Sequence, residues 1–307
     1  MRAAVVRKAG GPEAVEVLEV PLPEPGPFQL RIKIAAAALN PADRAVWAGV
    51  FRPAEGVEYI GLGLDGAGTV DAVGPGVALP IGTPVIVFDS GVLNATKTQA
   101  EYRVTDLNSI ALAPVGMDLT LAATIPLNTM TASLALDYFP LHPRDTLLVT
   151  GAAGAVGGFA VELARTRGVR IIAQGRSGDE QFLRDRGAAS FVSRDEDLNE
   201  AVRRFAPDGV DGVLDAAALG APAMAAVRDG GVYVSVRADV LPQSERGVVV
   251  RLTTAGPEPT RLSYLSALAE VGLLTPRVAQ TFPLEQAAEA HALLAQGGQR
   301  GRILLVP

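Results

Sequence analysis

The sequence predicts a two-domain α/β chain: a β-rich barrel or sandwich, then a doubly wound parallel sheet. Three observations carry this expectation. The chain has 307 residues, too many for one ordinary core. Before Asp118 it runs in short β-branched stretches cut by Gly and Pro. After Asp118, Ala- and Leu-rich helical stretches alternate with short apolar strands, the spacing of βαβ units.

Composition narrows the function. Hydrophobic residues make up 49% and charged residues 20%, which places the chain among globular proteins and not disordered ones. The net charge is −6 and the charges are scattered, so no basic surface points to nucleic acid or to an anionic membrane. There is no cysteine and there are two histidines, His142 and His291. Disulfides, a four-cysteine zinc site and a catalytic zinc on Cys and His ligands are thereby excluded. The opening MRAAVVRKAGGPE holds only a three- to four-residue apolar stretch, too short for a signal h-region, and the expectation is a cytoplasmic protein. Leu119 to Phe139 is the longest apolar segment. Pro126, Asn128 and Asp137 interrupt it, so a soluble helix or helix pair is expected there, not a membrane span.

In the first region, strands are expected at Arg2 to Val6, Ala14 to Val20, Gln29 to Ala38, Ala67 to Val73 and Pro84 to Phe88. In the second they are expected at Thr146 to Val149, Arg170 to Ala173, Ser190 to Val192, Gly212 to Leu214, Gly231 to Val236 and Val248 to Leu252. Helices fit at Val156 to Thr166, Asp179 to Arg186 and Leu198 to Phe205, the last capped by Asp197. The tail reads strand (Arg277 to Phe282), helix (Leu284 to Leu294), turn, strand (Arg302 to Val306). That order fits either closing the α/β domain or returning to the first one.

Two glycine clusters compete as a nucleotide site. GLGLDGAG, Gly61 to Gly68, matches G-x-G-x-x-G more literally, yet a β-run follows it and no helix starts there, so it reads as turns and bulges. LLVTGAAGAVGG, Leu147 to Gly158, has the required context. A strand feeds the turn, a helix with apolar faces leaves it, Gly168 follows as a C-cap, and a second strand comes next. Such a turn lays a pyrophosphate on free N–H groups at a helix N-terminus. Gly151, Ala152, Gly154, Ala155, Val156 and Gly157 are the expected cradle. Gly154 and Gly157 allow close backbone approach and close helix–strand packing.

The end of the second strand selects the nucleotide. An acid there would hold a ribose 2′-hydroxyl, but the chain reads Ala173-Gln174-Gly175-Arg176-Ser177. Gly175, Arg176 and Ser177 suit a 2′-phosphate, hence NADPH. Arg194, after the third strand, is a second candidate clamp. A solvated loop arginine is the competing account for both. Asp179 and Glu180 fit the first turn of a helix.

The order and motifs resemble the zinc-independent quinone oxidoreductase (zeta-crystallin-like) branch of the medium-chain dehydrogenase/reductases, over essentially the whole chain. The stretches that carry the resemblance are MRAAVVRKAGGPEAVEVLEVPLPEPGP, AAALNPADRAVWAG, GLDGAGTVDAVGPGV, AEYRV at Ala100 to Val104, TLLVTGAAGAVG and GRILLVP. It implies a GroES-like β-barrel catalytic domain plus a Rossmann domain. The boundaries adopted are 1–118, 119–271 and 272–307, the last returning to the catalytic domain. The resemblance also implies NADPH-dependent, metal-free hydride transfer to a quinone or an α,β-unsaturated carbonyl, in a cleft between the domains. By motif match, Asn40 would lie near the nicotinamide ribose and the acceptor. Thr131, in NTMTASLAL, would face the nicotinamide. The Asp215–Ala218 turn, with Ala216 and Ala217, would approach the cofactor.

Some members carry a tyrosine and an arginine shortly after the asparagine; Ala45 and Trp47 stand here, so a tyrosine proton donor from that loop is not expected. Trp47 and Phe51 are expected to make the substrate entrance apolar, with ordinary packing as the competing account. A turn residue is the alternative for Asn40, and a helix hydroxyl bonding its own backbone for Thr131. His142 reads as a surface turn and His291 as a helix residue, and neither has the partners of a triad. Residues Asp89 to Gln99 fit no pattern. A short-chain dehydrogenase is excluded: its central glycine is replaced by Ala155, and none of Lys8, Lys33 and Lys97 has a tyrosine four residues earlier. Two further functions are weighed, an NADPH-binding sensor or structural protein without turnover and an enoyl reductase of a biosynthetic pathway. A homodimer through the Gly231–Val236 and Val248–Leu252 edge is expected.

Overall fold

The computed structural model describes residues 1–51, 53, 56–91 and 94–307. Its contacts divide the chain into one unit of Met1–Leu127 with Gly256–Pro307 and a second of Asn128–Ala255.

In the first unit, β1 (Arg2–Val6) and β2 (Val15–Glu19) pair antiparallel from Arg2↔Glu19 to Val6↔Val15. The long β3 (Gln29–Ala38) founds a second sheet, while β4 (Ile60–Gly61) adds to the free edge of β1. Against β3 lies β5 (Asp65–Val73), and β6 (Pro84–Phe88) pairs with β5. β7 (Tyr102–Asp106) also joins β3, and β8 (Ile110–Leu112) closes on β6. The alternation of Leu30, Ile32 and Ile34 puts their side chains into one core with Val70, Val85 and Val87. No helix starts in GLGLDGAG: Gly61, Gly66 and Gly68 are strand backbone, and Gly63 turns the chain between β4 and β5 at φ +98°. A Cβ on Gly68 would stand 2.1 Å from the Lys33 carbonyl oxygen, and one on Gly66 would stand 2.7 Å from that of Ala36. These glycines admit close strand packing where the β3–β5 register shifts.

The second unit is a parallel sheet of β9 (Thr146–Thr150), β10 (Arg170–Gly175), β11 (Ser190–Ser193), β12 (Val210–Asp215), β13 (Val227–Ser235) and β14 (Val249–Leu252). The spatial order β11-β10-β9-β12-β13-β14 is the doubly wound order 3-2-1-4-5-6. Leu147–Val149, Ile171–Ala173, Val213 and Leu214 are all fully buried, as parallel strands covered on both faces must be. Helices Ala155–Thr166, Glu180–Asp185 and Leu198–Arg203 fall within two residues of the sequence-based starts, and the Asp197 carboxylate accepts the Glu200 N–H as the cap.

The tail returns to the first unit. β15 (Val278–Pro283) pairs parallel with β16 (Arg302–Val306), and β16 pairs antiparallel with β3. The sequence-based boundaries stand at 118/119 and 271/272, whereas the contacts divide at 127/128 and 255/256. Local packing explains the difference. The Leu119–Ala122 helical turn lies on β3 and β5. The Pro259–Glu270 helix, not foreseen from the sequence, lies on β8, where Ser266 Oγ donates to the Leu112 carbonyl (2.7 Å).

Candidate functional site

Loops at the carboxyl ends of parallel strands make the binding surface of a doubly wound sheet, at the point where strand order reverses. Here that point lies between β9 and β12. β9 ends in Thr150. Gly151 turns the chain at φ +57°, the Ala152 N–H donates to the Gln174 carbonyl (2.9 Å), and Gly154 is the N-cap of the Ala155–Thr166 helix. Gly157 is buried against the turn, where an added Cβ would stand 2.4 Å from the Gly151 oxygen. Ala155 and Val156 form the helix's first turn, whose N–H groups have no helical acceptor of their own. The helix is twelve residues long, so its positive end is well developed. A turn of this geometry can hold a phosphate.

The next two strand ends lie beside it. Gly175 of β10 and Ser193 of β11 are register partners, and the Arg194 N–H donates to the Gly175 carbonyl (2.7 Å). Arg176, Ser177 and Arg194 therefore leave the sheet side by side. Ser177 Oγ and Ser193 Oγ are 3.2 Å apart. Arg176 forms no side-chain hydrogen bond or ion pair among the described residues, and Arg194 has only a long contact to Asp195 (3.8 Å). Asp179 lies under this edge, where its buried carboxylate accepts the Arg176 backbone N–H (3.1 Å). The cluster thus offers two guanidinium groups and two hydroxyls, with Asp195 beside Ser193 Oγ (3.5 Å) and Arg194.

On the other side of the switch point, the fully buried Asp215 ends β12. Its Oδ1 accepts from Thr150 Oγ1 (2.6 Å), and its Oδ2 accepts from the Tyr233 hydroxyl (2.6 Å) and the Gly220 N–H (2.8 Å). Burial, with the Asp215 carboxylate beside it, pushes the Tyr233 phenol well above its usual range, so Tyr233 stays a donor. Half-buried Ala216 and exposed Ala217 lie on the turn that follows, and the Ala217 N–H donates to Thr150 Oγ1 (3.0 Å). Thr131 is buried on the Pro126–Asp137 helix.

In the first unit, Asn40 is 1% exposed and follows β3. Its Nδ2 donates to Asp65 Oδ1 (2.8 Å) and the Ala38 carbonyl (3.2 Å), and its Oδ1 accepts from Arg302 Nη2 (2.9 Å). Arg302 also pairs with Asp65 at 2.9 Å, with both side chains buried. Both amide hydrogens of Asn40 are spent inside the unit, leaving only a lone pair on Oδ1 for a ligand. Asp43 takes the Asn40 N–H (2.9 Å) and Gln99 Nε2 (3.2 Å), and Gln99 Oε1 meets His291 Nε2 at 2.9 Å. His291 is therefore a buried member of this network, and His142 is exposed. Trp47 is 7% exposed and packs in a core with Val46, Ile60, Leu62 and Leu305. Phe51 does face a pocket of about 330 Å³, shared with Val46, Pro53, Ile60, Arg7 and Lys8. Of the Asp89–Gln99 stretch, residues 92 and 93 lie outside those described; Asp89 pairs with Arg103.

Sequence reasoning singled out the Gly151–Gly157 turn and the Arg176 edge, which follow β9 and β10 in the structure. It missed Asp215 as an anchor, Tyr233, Asp65 and Arg302. The available signal was an acid ending an apolar strand next to Ala216-Ala217, and a lone Asp65 inside a glycine-rich apolar run.

A family model described as alcohol dehydrogenase GroES-like domain matches residues 26–121, and one described as zinc-binding dehydrogenase matches residues 186–305. A quinone oxidoreductase of Pseudomonas aeruginosa is 30% identical over 324 residues, covering 97% of each chain. The polyketide synthase component PikAII of Streptomyces venezuelae is 33% identical over 303 residues; the match covers 92% of this chain but only 8% of that protein. Among solved structures, one described as an NAD-dependent alcohol dehydrogenase is 32% identical with TM-score 0.89, and a mycobacterial protein complexed with NADPH is 26% identical with TM-score 0.85. Both cover 100% of each chain. The fold and site define a medium-chain dehydrogenase/reductase, a GroES-like barrel with a Rossmann sheet. The chain belongs to that superfamily of oxidoreductases, with quinone oxidoreductases among its full-length relatives. The zinc named in one family description would need His, Asp or Glu donors in this chain. The sequence has no cysteine, and among the described residues no three His, Asp or Glu side chains gather as ligands.

Proposed function

We propose that the protein is an NADPH-dependent, zinc-independent reductase that delivers hydride to a quinone or an α,β-unsaturated carbonyl. The observation that carries the choice of cofactor is the cluster Arg176, Ser177, Ser193 and Arg194 beside the Gly151–Gly157 cradle. Two cations and two hydroxyls match a 2′-phosphate. Bound NADPH supplies the hydride; the chain supplies the rest. The Gly154–Gly157 turn and the helix behind it hold the pyrophosphate, Thr131 and the Ala216–Ala217 turn bound the nicotinamide, and Asn40 serves as a hydrogen-bond acceptor. Orientation and exclusion of water do the catalytic work. The protein works on a small molecule, and β14, as the edge of its sheet, suits pairing with a second copy.

The acceptor is tested by following NADPH oxidation with simple quinones, alkyl enones and enoyl thioesters, each with and without a chelator. Turnover with at least one class, undiminished by the chelator, is expected. NADPH that binds but is not oxidised with any of them would refute the proposal. The polyketide synthase relative favours one narrower reading, an enoyl reductase, which predicts that enoyl thioesters outrun quinones.

A further inference from the structure

Two loops of the second unit flank the switch point: the Thr150–Gly157 turn and the Ala216–Gly220 turn. They touch closely. A Cβ on Gly151 would stand 3.2 Å from both the Cβ and the backbone nitrogen of Ala217. Their spacing is set from below by three fully buried polar side chains, Thr150, Asp215 and Tyr233. Thr150 and Asp215 are register partners across the β9–β12 pair. The Thr150 hydroxyl works in both directions, donating to Asp215 Oδ1 at 2.6 Å and accepting the Ala217 N–H at 3.0 Å. Asp215 Oδ2 takes the Tyr233 hydroxyl and the Gly220 N–H, at 2.6 and 2.8 Å.

The sheet itself does not need this network. Neighbouring positions Val149, Leu214 and Val234 are apolar and fully buried, and an apolar trio would avoid the cost of sinking polar groups. What the network does hold is a turn with a residue that sterics oppose: Ala218, which has a Cβ, stands at φ +59°, two residues before Gly220, which takes φ +70° freely. A non-glycine residue keeps such a conformation only where its surroundings over-determine it.

We propose that Asp215 is the positioning residue of the cofactor cradle, fixing the Ala216–Gly220 turn against the phosphate turn through Thr150 and Tyr233. The inference rests on the NADPH reading above. It extends that reading from residues that would touch the cofactor to a buried triad that touches none of it. Preorganisation of this kind lowers the ordering cost of binding, so its loss weakens affinity without removing a contact.

The test is NADPH affinity by fluorescence titration, beside a thermal melt, for Thr150→Val, Thr150→Ser and Tyr233→Phe. Thr150→Val keeps shape and removes the hydroxyl, stranding the Ala217 N–H and one Asp215 oxygen. It is expected to raise the NADPH Kd about tenfold or more, while Thr150→Ser, which restores the hydroxyl, stays within about threefold of wild type. Tyr233→Phe should weaken binding in the same direction. Combined with Thr150→Val it should add less than the product of the two effects, because both act through one carboxylate. A merely structural triad would lower the melting temperature and leave Kd alone. If Thr150→Val does not fold, Tyr233→Phe decides by the same measurement. Unchanged Kd in folded variants, with NADPH binding to the wild type, overturns this inference alone. A wild type that binds no NADPH overturns the functional reading and the inference with it.

Discussion

Gly157→Ala tests the cradle at its tightest point. The new Cβ would stand 2.4 Å from the Gly151 oxygen and 2.8 Å from Ala152 Cα, both backbone atoms that no rotamer change can move. Ordinary contact begins near 3.4 Å, so the turn and helix must separate by about 1 Å. Overpacking of this kind costs about 1–3 kcal/mol, partly offset by the gain of about 1 kcal/mol for Gly→Ala in a helix. The net change in stability is therefore small, roughly 0–2 kcal/mol. Binding suffers more. A 1 Å displacement spoils the N–H geometry toward a phosphate, and charge-assisted hydrogen bonds contribute about 1.5–3 kcal/mol each, so NADPH affinity should fall by roughly tenfold to a hundredfold. Gly158→Ala is the control. Its Cβ meets only the Ala152 oxygen at 3.6 Å, so it should leave affinity unchanged and raise helix stability slightly. Fluorescence titration and thermal melts of both variants give the answer. Wild-type affinity in Gly157→Ala, or equal losses in the two variants, would refute the cradle geometry.

Arg176→Ala should weaken NADPH by about tenfold to a hundredfold and leave NADH within about twofold, because only NADPH carries the 2′-phosphate; equal losses in paired titrations would remove that role. Arg302→Met strands the buried Asp65 carboxylate and should cost about 3–5 kcal/mol by urea denaturation, and the neutral pair Arg302→Met/Asp65→Asn should recover part of it. A single variant as stable as wild type would contradict this. Burial holds the His291 imidazole below its ordinary value, with Asp43 opposing, so its contribution to stability is present above the unfolded value near 6.5 and is lost as pH falls through the folded value. The melting temperature should therefore drop from pH 7.5 toward pH 5.5 and drop less in His291→Gln; parallel profiles would show that another group sets the slope.

The parts of the fold legible in the sequence were those with a local signature. β9, the Gly151–Gly157 turn and the following helix showed as an apolar run, a glycine turn and a 3.6-residue pattern in consecutive positions. The two glycine clusters were separable because a helix follows one and a strand the other. The Pro259–Glu270 helix was missed although Leu262, Leu265, Ser266 and Ala269 are buried at i, i+3, i+4 and i+7. Ser266 breaks the apolar stripe, and it is buried because its hydroxyl reaches the Leu112 carbonyl, a residue far away in the chain. The same reason hid the polar anchors. Asp65 and Arg302 are separated by 237 residues and Thr150 and Asp215 by 65, and only strand register brings them together. Trp47 could not be divided between entrance and core from its position alone. The core it packs in, around Ile60 and Leu305, is contributed by distant strands.

The central claim is hydride delivery from NADPH to a conjugated acceptor, and deuteride transfer tests it most directly. The protein is incubated with NADPH labelled at the transferred C4 position and with an alkyl enone or enoyl thioester, and the product is weighed by mass spectrometry. The account predicts a saturated product one mass unit heavier, with deuterium on the β-carbon. A saturated product without deuterium, or bound NADPH that yields neither a labelled product from any enone or thioester nor hydroquinone from any quinone, would contradict it.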